Sequence, residues 1–316
     1  MSLYTTADIG GTSVKLGVAD DKGEFLSRDV VPNPVREEGV DAMLAAVSAK
    51  VREYKERYTL SGLAVSTAGV VDESGTVLFA GPNFPGYSGV RLAAKLNALC
   101  GLPCAVANDA NCAALGEAWL GAGKNASPFV CVTLGAGVGS AILIDGNPLS
   151  GAHGFAGELG CLPFDGGVLE DRASARALVR FVADAKKLSE ESLDGANVLD
   201  MARTGDPAAL AGIQRQMHAL AAGLASVLLI VDPELVVIGG GLAAGADVLG
   251  PVLKEELSLL RAAAPVPKTR ICFSELGNDA GMLGALSYFL RKKSTNLRYI
   301  SFDRRSRNGR QNQGNV

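Results

Sequence analysis

The chain has 316 residues, more than the usual single core of about 100 to 200, so two domains sharing a cleft are expected. Apolar residues at 48%, charged residues at 20% and 39 glycines exclude a disordered or collagenous chain and point to an α/β protein rich in tight turns. A formal net charge of −3 gives no general attraction to nucleic acid or acidic lipid, and six scattered cysteines with apolar neighbours read as reduced, buried thiols rather than a metal site.

The chain opens without a basic segment followed by an apolar stretch, so no signal peptide is predicted and a cytoplasmic location is expected. Residues 3–30 alternate apolar and polar through Asp8 and Ile9, turn at Gly10-Gly11, return through Val14 to Ala19 and turn again at Asp20 to Gly23. That pattern predicts a β-hairpin with a third strand. Val40, Met43, Leu44, Val47, Val51 and Tyr54 have the spacing of an amphipathic helix. A short strand over 62–66, turns at 72–75 and 81–89 and a helix over 90–99 follow. Residues 103–107 read as a buried strand ending at Asn108-Asp109, with a helix over 110–120.

The pattern then restarts. A strand over 129–134, a glycine turn and a strand over 140–145 repeat the first hairpin, so a duplicated module is predicted. Asp206-Pro207 supplies a cap and a first-turn proline for a helix reaching about Val231. A buried strand over 235–238 enters Gly239-Gly240-Gly241, followed by a helix over 251–260, a strand over 270–274 and a closing helix over 281–293. The longest apolar run, 219–231, is shorter than the ~20 residues a bilayer requires, so no membrane span is expected. Residues 294–316 form a basic, polar tail, expected to be disordered.

The two glycine hairpins, Asp8-Ile9-Gly10-Gly11-Thr12 with Lys15, and Thr133-Leu134-Gly135-Ala136-Gly137-Val138-Gly139, suggest two backbone clamps facing one phosphate chain. Glycine lets successive N–H groups turn toward an anion with no side chain in the way. Asp109 has two readings: an N-cap for its helix, or a carboxylate that takes the proton of a hydroxyl attacking a γ-phosphate, with Asn108 holding that hydroxyl. Asp8 is a candidate for orienting hydrated Mg²⁺, and Lys15 is either an ATP contact or a solvent-facing strand residue. In the glycine-dense loop 151–160, His153 and Glu158 are candidates for binding vicinal hydroxyls, joined by Gly69, Asn83 and Glu170 from other loops. Gly121 to Lys124 lacks P-loop spacing, and Gly239 to Ala244 fits a dinucleotide fingerprint without its acidic partner. His218 reads as an ordinary helix histidine.

Taken in order, Asp8 to Thr12, Asn83-Phe84-Pro85-Gly86, Asn108-Asp109-Ala110-Asn111, Thr133 to Gly139, Ala156-Gly157-Glu158-Leu159-Gly160 and Gly239 to Gly241 resemble the ROK family of bacterial sugar kinases and repressors. The resemblance implies an actin-like ATPase (ribonuclease H-like) fold with ATP and Mg²⁺ in an interdomain cleft. It also implies phosphorylation of a hexose or N-acylhexosamine hydroxyl, commonly at C6, by a homodimer. It makes Asp109 the catalytic base and Asn83, Asn108, Glu158 and Glu170 sugar contacts. The hairpins become the phosphate loops and Gly239 to Gly241 the adenosine-side turn. The expected domains are 1–112 with the closing helix 281–293, and 113–280.

One departure follows Glu158: the family's histidine position is Cys161, and the zinc-binding cysteine cluster is replaced by residues 162–170. A single thiol cannot complete a tetrahedral site, so no structural zinc is predicted, as in the family's zinc-free β-glucoside and N-acetylmannosamine kinases. The family's repressors carry a helix-turn-helix module ahead of the first phosphate loop; only seven residues precede Asp8, so sugar-responsive DNA binding is the disfavoured alternative.

Overall fold

The computed structural model describes residues 1–294; the predicted basic tail lies outside them apart from Ser294. The first half of the chain runs β1 (Leu3–Ile9), β2 (Ser13–Asp20), β3 (Phe25–Pro32), α1 (Val40–Arg57), β4 (Leu60–Thr67), β5 (Val70–Val71), β6 (Val77–Phe79), α2 (Leu92–Cys100), β7 (Cys104–Asn108) and α3 (Asp109–Leu120). Its sheet has the order β3-β2-β1-β4-β7, with an antiparallel meander and then β4 and β7 parallel to β1. β3 buries alternate residues only in part, as an edge strand does, whereas β2 is buried on nearly every residue from Leu16 onward.

The second half repeats the plan with β8 (Phe129–Leu134), β9 (Val138–Ile144), β10 (Asn147–Pro148), a small hairpin of β11 (Pro163–Phe164) and β12 (Gly167–Val168), then α4 (Glu170–Ala173), α5 (Ala175–Lys186), α6 (Gly195–Arg203) and α7 (Pro207–Val231). β13 (Leu235–Gly239), α8 (Ala246–Ala263), β14 (Arg270–Phe273) and α9 (Ala280–Lys293) complete it. The sheet order is β10-β9-β8-β13-β14, with β13 parallel to β8 and β14 parallel to β13. The duplication read from the two hairpins therefore extends to whole sheets.

Between the sheets, α3 crosses α9 with almost no side chain in the way. A Cβ on Gly284 would stand 1.6 Å from the Cys112 carbonyl, and one on Gly116 would stand 2.4 Å from that of Ala280. Backbones this close require glycine on both helices. Around the crossing, Ala110, Ala113, Ala114, Ala285, Leu286, Tyr288 and Phe289 pack with residues of both sheets.

The capped start of α7 stands as predicted, with Asp206 accepting from the N–H groups of Ala208 and Ala209 at 3.0 and 3.1 Å. α7 is long and apolar enough to span a bilayer by length alone, but 56% of its apolar window is buried against the rest of the molecule, the signature of a core helix. α8 begins before the predicted 251: Pro251 sits inside the helix, where the packing of Leu249, Leu253 and Leu257 outweighs one missing N–H bond.

Candidate active site

A cleft of about 770 Å³ opens between the two sheets. Gly10, Gly11 and Thr12 line it from one hairpin, and Thr133, Gly135, Ala136, Gly137 and Gly139 line it from the other. Gly239, Gly240 and Gly241 line it as well. Gly240 has a φ of +82°, and a Cβ there would lie 2.5 Å from the Leu134 carbonyl oxygen, so the turn is held against β8 by glycine alone.

Asn108 and Asp109 sit on the cleft wall where β7 passes into α3. The N-cap is Asn108, whose Oδ1 accepts the Asn111 N–H at 3.0 Å, so Asp109 is released from that duty. Asn108 Nδ2 donates to the Gly69 carbonyl at 2.9 Å and to Asp109 Oδ1 at 3.0 Å. Asp109 Oδ1 also accepts its neighbour Ala110's N–H at 2.9 Å, and the residue lines the cleft. The carboxyl is open to the cleft but enclosed by protein on its other sides. That enclosure, with the negative charges of Asp8 and Glu158, pushes its pKa up to about 7. A carboxylate poised near neutrality suits a general base.

Asp8, next to last in β1, is oriented from two sides. Ser66 Oγ donates to Oδ1 at 2.7 Å, and Lys15 Nζ lies 3.5 Å from Oδ2. A Cβ on Gly281, at the start of α9, would fall 3.0 Å from the Asp8 carboxyl carbon, so that glycine makes room for it. One fixed carboxylate beside a glycine hairpin has the chemistry to hold Mg²⁺, which keeps most of its water and needs few protein ligands.

On the opposite side of the cleft, Glu158 is half-buried, and its pKa is raised by that burial and by the neighbouring Glu170. Its loop is pinned by Ser140, which donates to the Gly157 carbonyl and accepts the Leu159 N–H at 2.9 Å. Glu170, at the start of α4, accepts the Val138 N–H at 3.1 Å, so it braces the second glycine hairpin as well as lining the cleft. Gly69, with φ +97°, turns its carbonyl to Asn108. Asn83 lines the cleft and accepts from Arg36 Nη2 at 3.0 Å. His153 is the exception among the predicted residues: it is exposed and lies outside the cleft lining.

Several lining residues are not evident from the sequence. Cys161 is exposed on the cleft wall, correcting the expectation that the cysteines are buried. Arg36 and Gly281 carry no local pattern that would mark them. Glu117 is fully buried and accepts the Ala122 and Leu276 N–H groups at 2.9 and 3.1 Å, tying the end of α3 to the loop after β14. A lone carboxylate in the apolar run of α3 was its signal. His218 reads as ordinary: its Nδ1 lies 2.8 Å from Glu256 Oε2 on α8.

The ROK family model matches residues 4–292. A glucokinase of Streptomyces coelicolor is 32% identical, covering 90% of this chain and 96% of its own. An N-acetyl-D-glucosamine kinase of Citrobacter koseri is also 32% identical, covering 90% and 98%. Among solved structures, a ROK family glucokinase from Streptomyces griseus, in complex with glucose and AMPPNP, superposes with a TM-score of 0.82 at 30% identity, covering 91% of this chain and 99% of its own. Matches that run almost end to end in both sequence and structure mean that the chain belongs to the ROK family and has the actin-like ATPase fold of its sugar kinases.

Proposed function

We propose that this ROK family sugar kinase transfers the γ-phosphoryl group of ATP to a hexose or N-acylhexosamine hydroxyl, at C6, with Asp109 as general base. The observation that carries the reading is the freedom of Asp109: Asn108 takes over the helix cap, and Asp109 faces a cleft bounded by two glycine hairpins. In this reading the hairpin N–H groups hold the ATP phosphates, and Gly239 to Gly241 leave space for the adenosine. Asp8 and Lys15 act at the phosphate end, where Mg²⁺ held by Asp8 would offset charge on the phosphates. Gly69, Asn83, Asn108, Glu158 and Glu170 position the sugar.

Asp109 accepts the hydroxyl proton as the sugar oxygen attacks, and Asn108 keeps its carboxylate aimed. Closure of the two sheets excludes water, which would otherwise compete for the phosphoryl group. The sugar relatives turn over glucose and N-acetylglucosamine by name, so both sugars belong in the test. ATP consumption across a panel of hexoses and N-acetylhexosamines, with the phosphate position read by ³¹P–¹H correlation, is expected to give a 6-phosphate. Phosphate on another hydroxyl, or ATP use that no sugar stimulates, would refute the assignment.

A further inference from the structure

Arg36 stands where the first glycine hairpin meets the sugar side of the cleft. A Cβ on Gly11 would lie 3.9 Å from Arg36 Nη2, and the same nitrogen donates to Asn83 Oδ1 at 3.0 Å. The side chain is exposed to the cleft and has no carboxylate partner among the described residues, whereas Lys15 sits against Asp8. Its backbone is fixed. Buried Asn33 donates from Nδ2 to the Gly10 carbonyl at 2.6 Å and from N–H to that of Thr12 at 3.0 Å, and its Oδ1 receives the N–H of fully buried Val35 at 3.0 Å. The 33–36 segment is thus bolted to the phosphate hairpin, and it carries a cation with no ion pair among the described residues into a cleft that also holds Asp8, Asp109, Glu158 and Glu170, with Lys15 and Arg176.

We infer that Arg36 is a further catalytic residue, whose guanidinium engages the phosphoryl group during transfer and then the phosphate of the product. The inference rests on the kinase reading above. As the sugar oxygen forms its bond to the γ-phosphorus, the bond to the β,γ-bridging oxygen breaks, ADP leaves with that electron pair, and the hydroxyl proton passes to Asp109. The charge on the phosphoryl oxygens needs a donor between the hairpin and the sugar, and the planar guanidinium fits two of them at once. On engaging phosphate, Arg36 releases Asn83 Oδ1 to the sugar. Phosphate and sugar recognition then share one side chain.

The test compares wild type, Arg36→Met and Arg36→Lys with ATP and the best sugar of the panel. Arg36→Met is expected to lower kcat by about 10²- to 10³-fold and to weaken inhibition by the isolated product sugar phosphate by about 10-fold. Added guanidinium ion should restore part of the methionine variant's rate without speeding the wild type. Arg36→Lys should recover less than a tenth of the lost kcat, because a point charge lacks the fork. Wild-type kcat and product affinity in Arg36→Met, or a kcat loss that guanidinium does not rescue, would overturn the inference while leaving the kinase reading intact. A wild type that phosphorylates no sugar would overturn both.

Discussion

Two adjacent side chains at the start of α3 divide the hydrogen bonding between them. Asn108 supplies the cap, a donor to the Gly69 carbonyl and a donor to Asp109, so the Asp109 carboxyl is oriented and free to serve as the proposed base. Because the surrounding protein and the neighbouring carboxylates raise the Asp109 pKa to about 7, its proton is retained below that pH and the proposed base is lost there. kcat/KM is therefore expected to rise with pH through about 7 and to level off above it; a flat profile from pH 5 to 8 would exclude Asp109 as the base. Asn108→Ala should cost about 1 kcal/mol of stability through the lost cap and lower kcat as well. Unfolding by denaturant and initial rates on the same sample check both. A stability loss with unchanged kcat would make Asn108 a purely structural cap.

At the scale of elements, the hairpins were legible because period-two alternation broken by glycine is a local signal. The helices with strong three-to-four spacing were legible for the same reason. The region from 159 to 174 was not, since two-residue strands and a four-residue helix offer no periodicity to read. Consequently the sequence marked Glu170 as a sugar candidate but not as the residue that receives the Val138 N–H and couples that side to the second hairpin. Arg36, Glu117 and Gly281 reach the cleft only through tertiary packing, and residue type alone makes His153, on a glycine-dense loop, a ligand candidate. Two glycines make contrasting predictions. A Cβ on Gly137 would stand 2.4 Å from Glu170 Oε2, the side-chain atom that receives the Val138 N–H, so Gly137→Ala should displace that brace and raise the KM values for ATP and sugar, with a smaller loss of stability than a backbone clash causes. A Cβ on Gly284 would meet the backbone of Cys112 at 1.6 Å. Gly284→Ala should therefore destabilise by about 1–3 kcal/mol or more, read as a lowered thermal midpoint. An unchanged midpoint would show that the α3–α9 crossing yields.

Across the whole molecule, two copies of one sheet plan face each other, and the helices that cross between them carry the site at their starts. α3 begins at Asp109, and α9 begins beside Asp8 with Gly281. If the proposed closure pivots at the glycine crossing, it carries the starts of α3 and α9 with it. Solution scattering is expected to show a smaller radius of gyration with sugar and a non-hydrolysable ATP analogue than with neither. A base and a binding group at Asp109 differ in what its loss does to turnover. The most direct measurement is kcat of Asp109→Asn beside its calorimetric affinity for the sugar. The prediction is a fall in kcat of about 10²- to 10⁴-fold with sugar affinity nearly unchanged. A variant that turns over near the wild-type rate would contradict it.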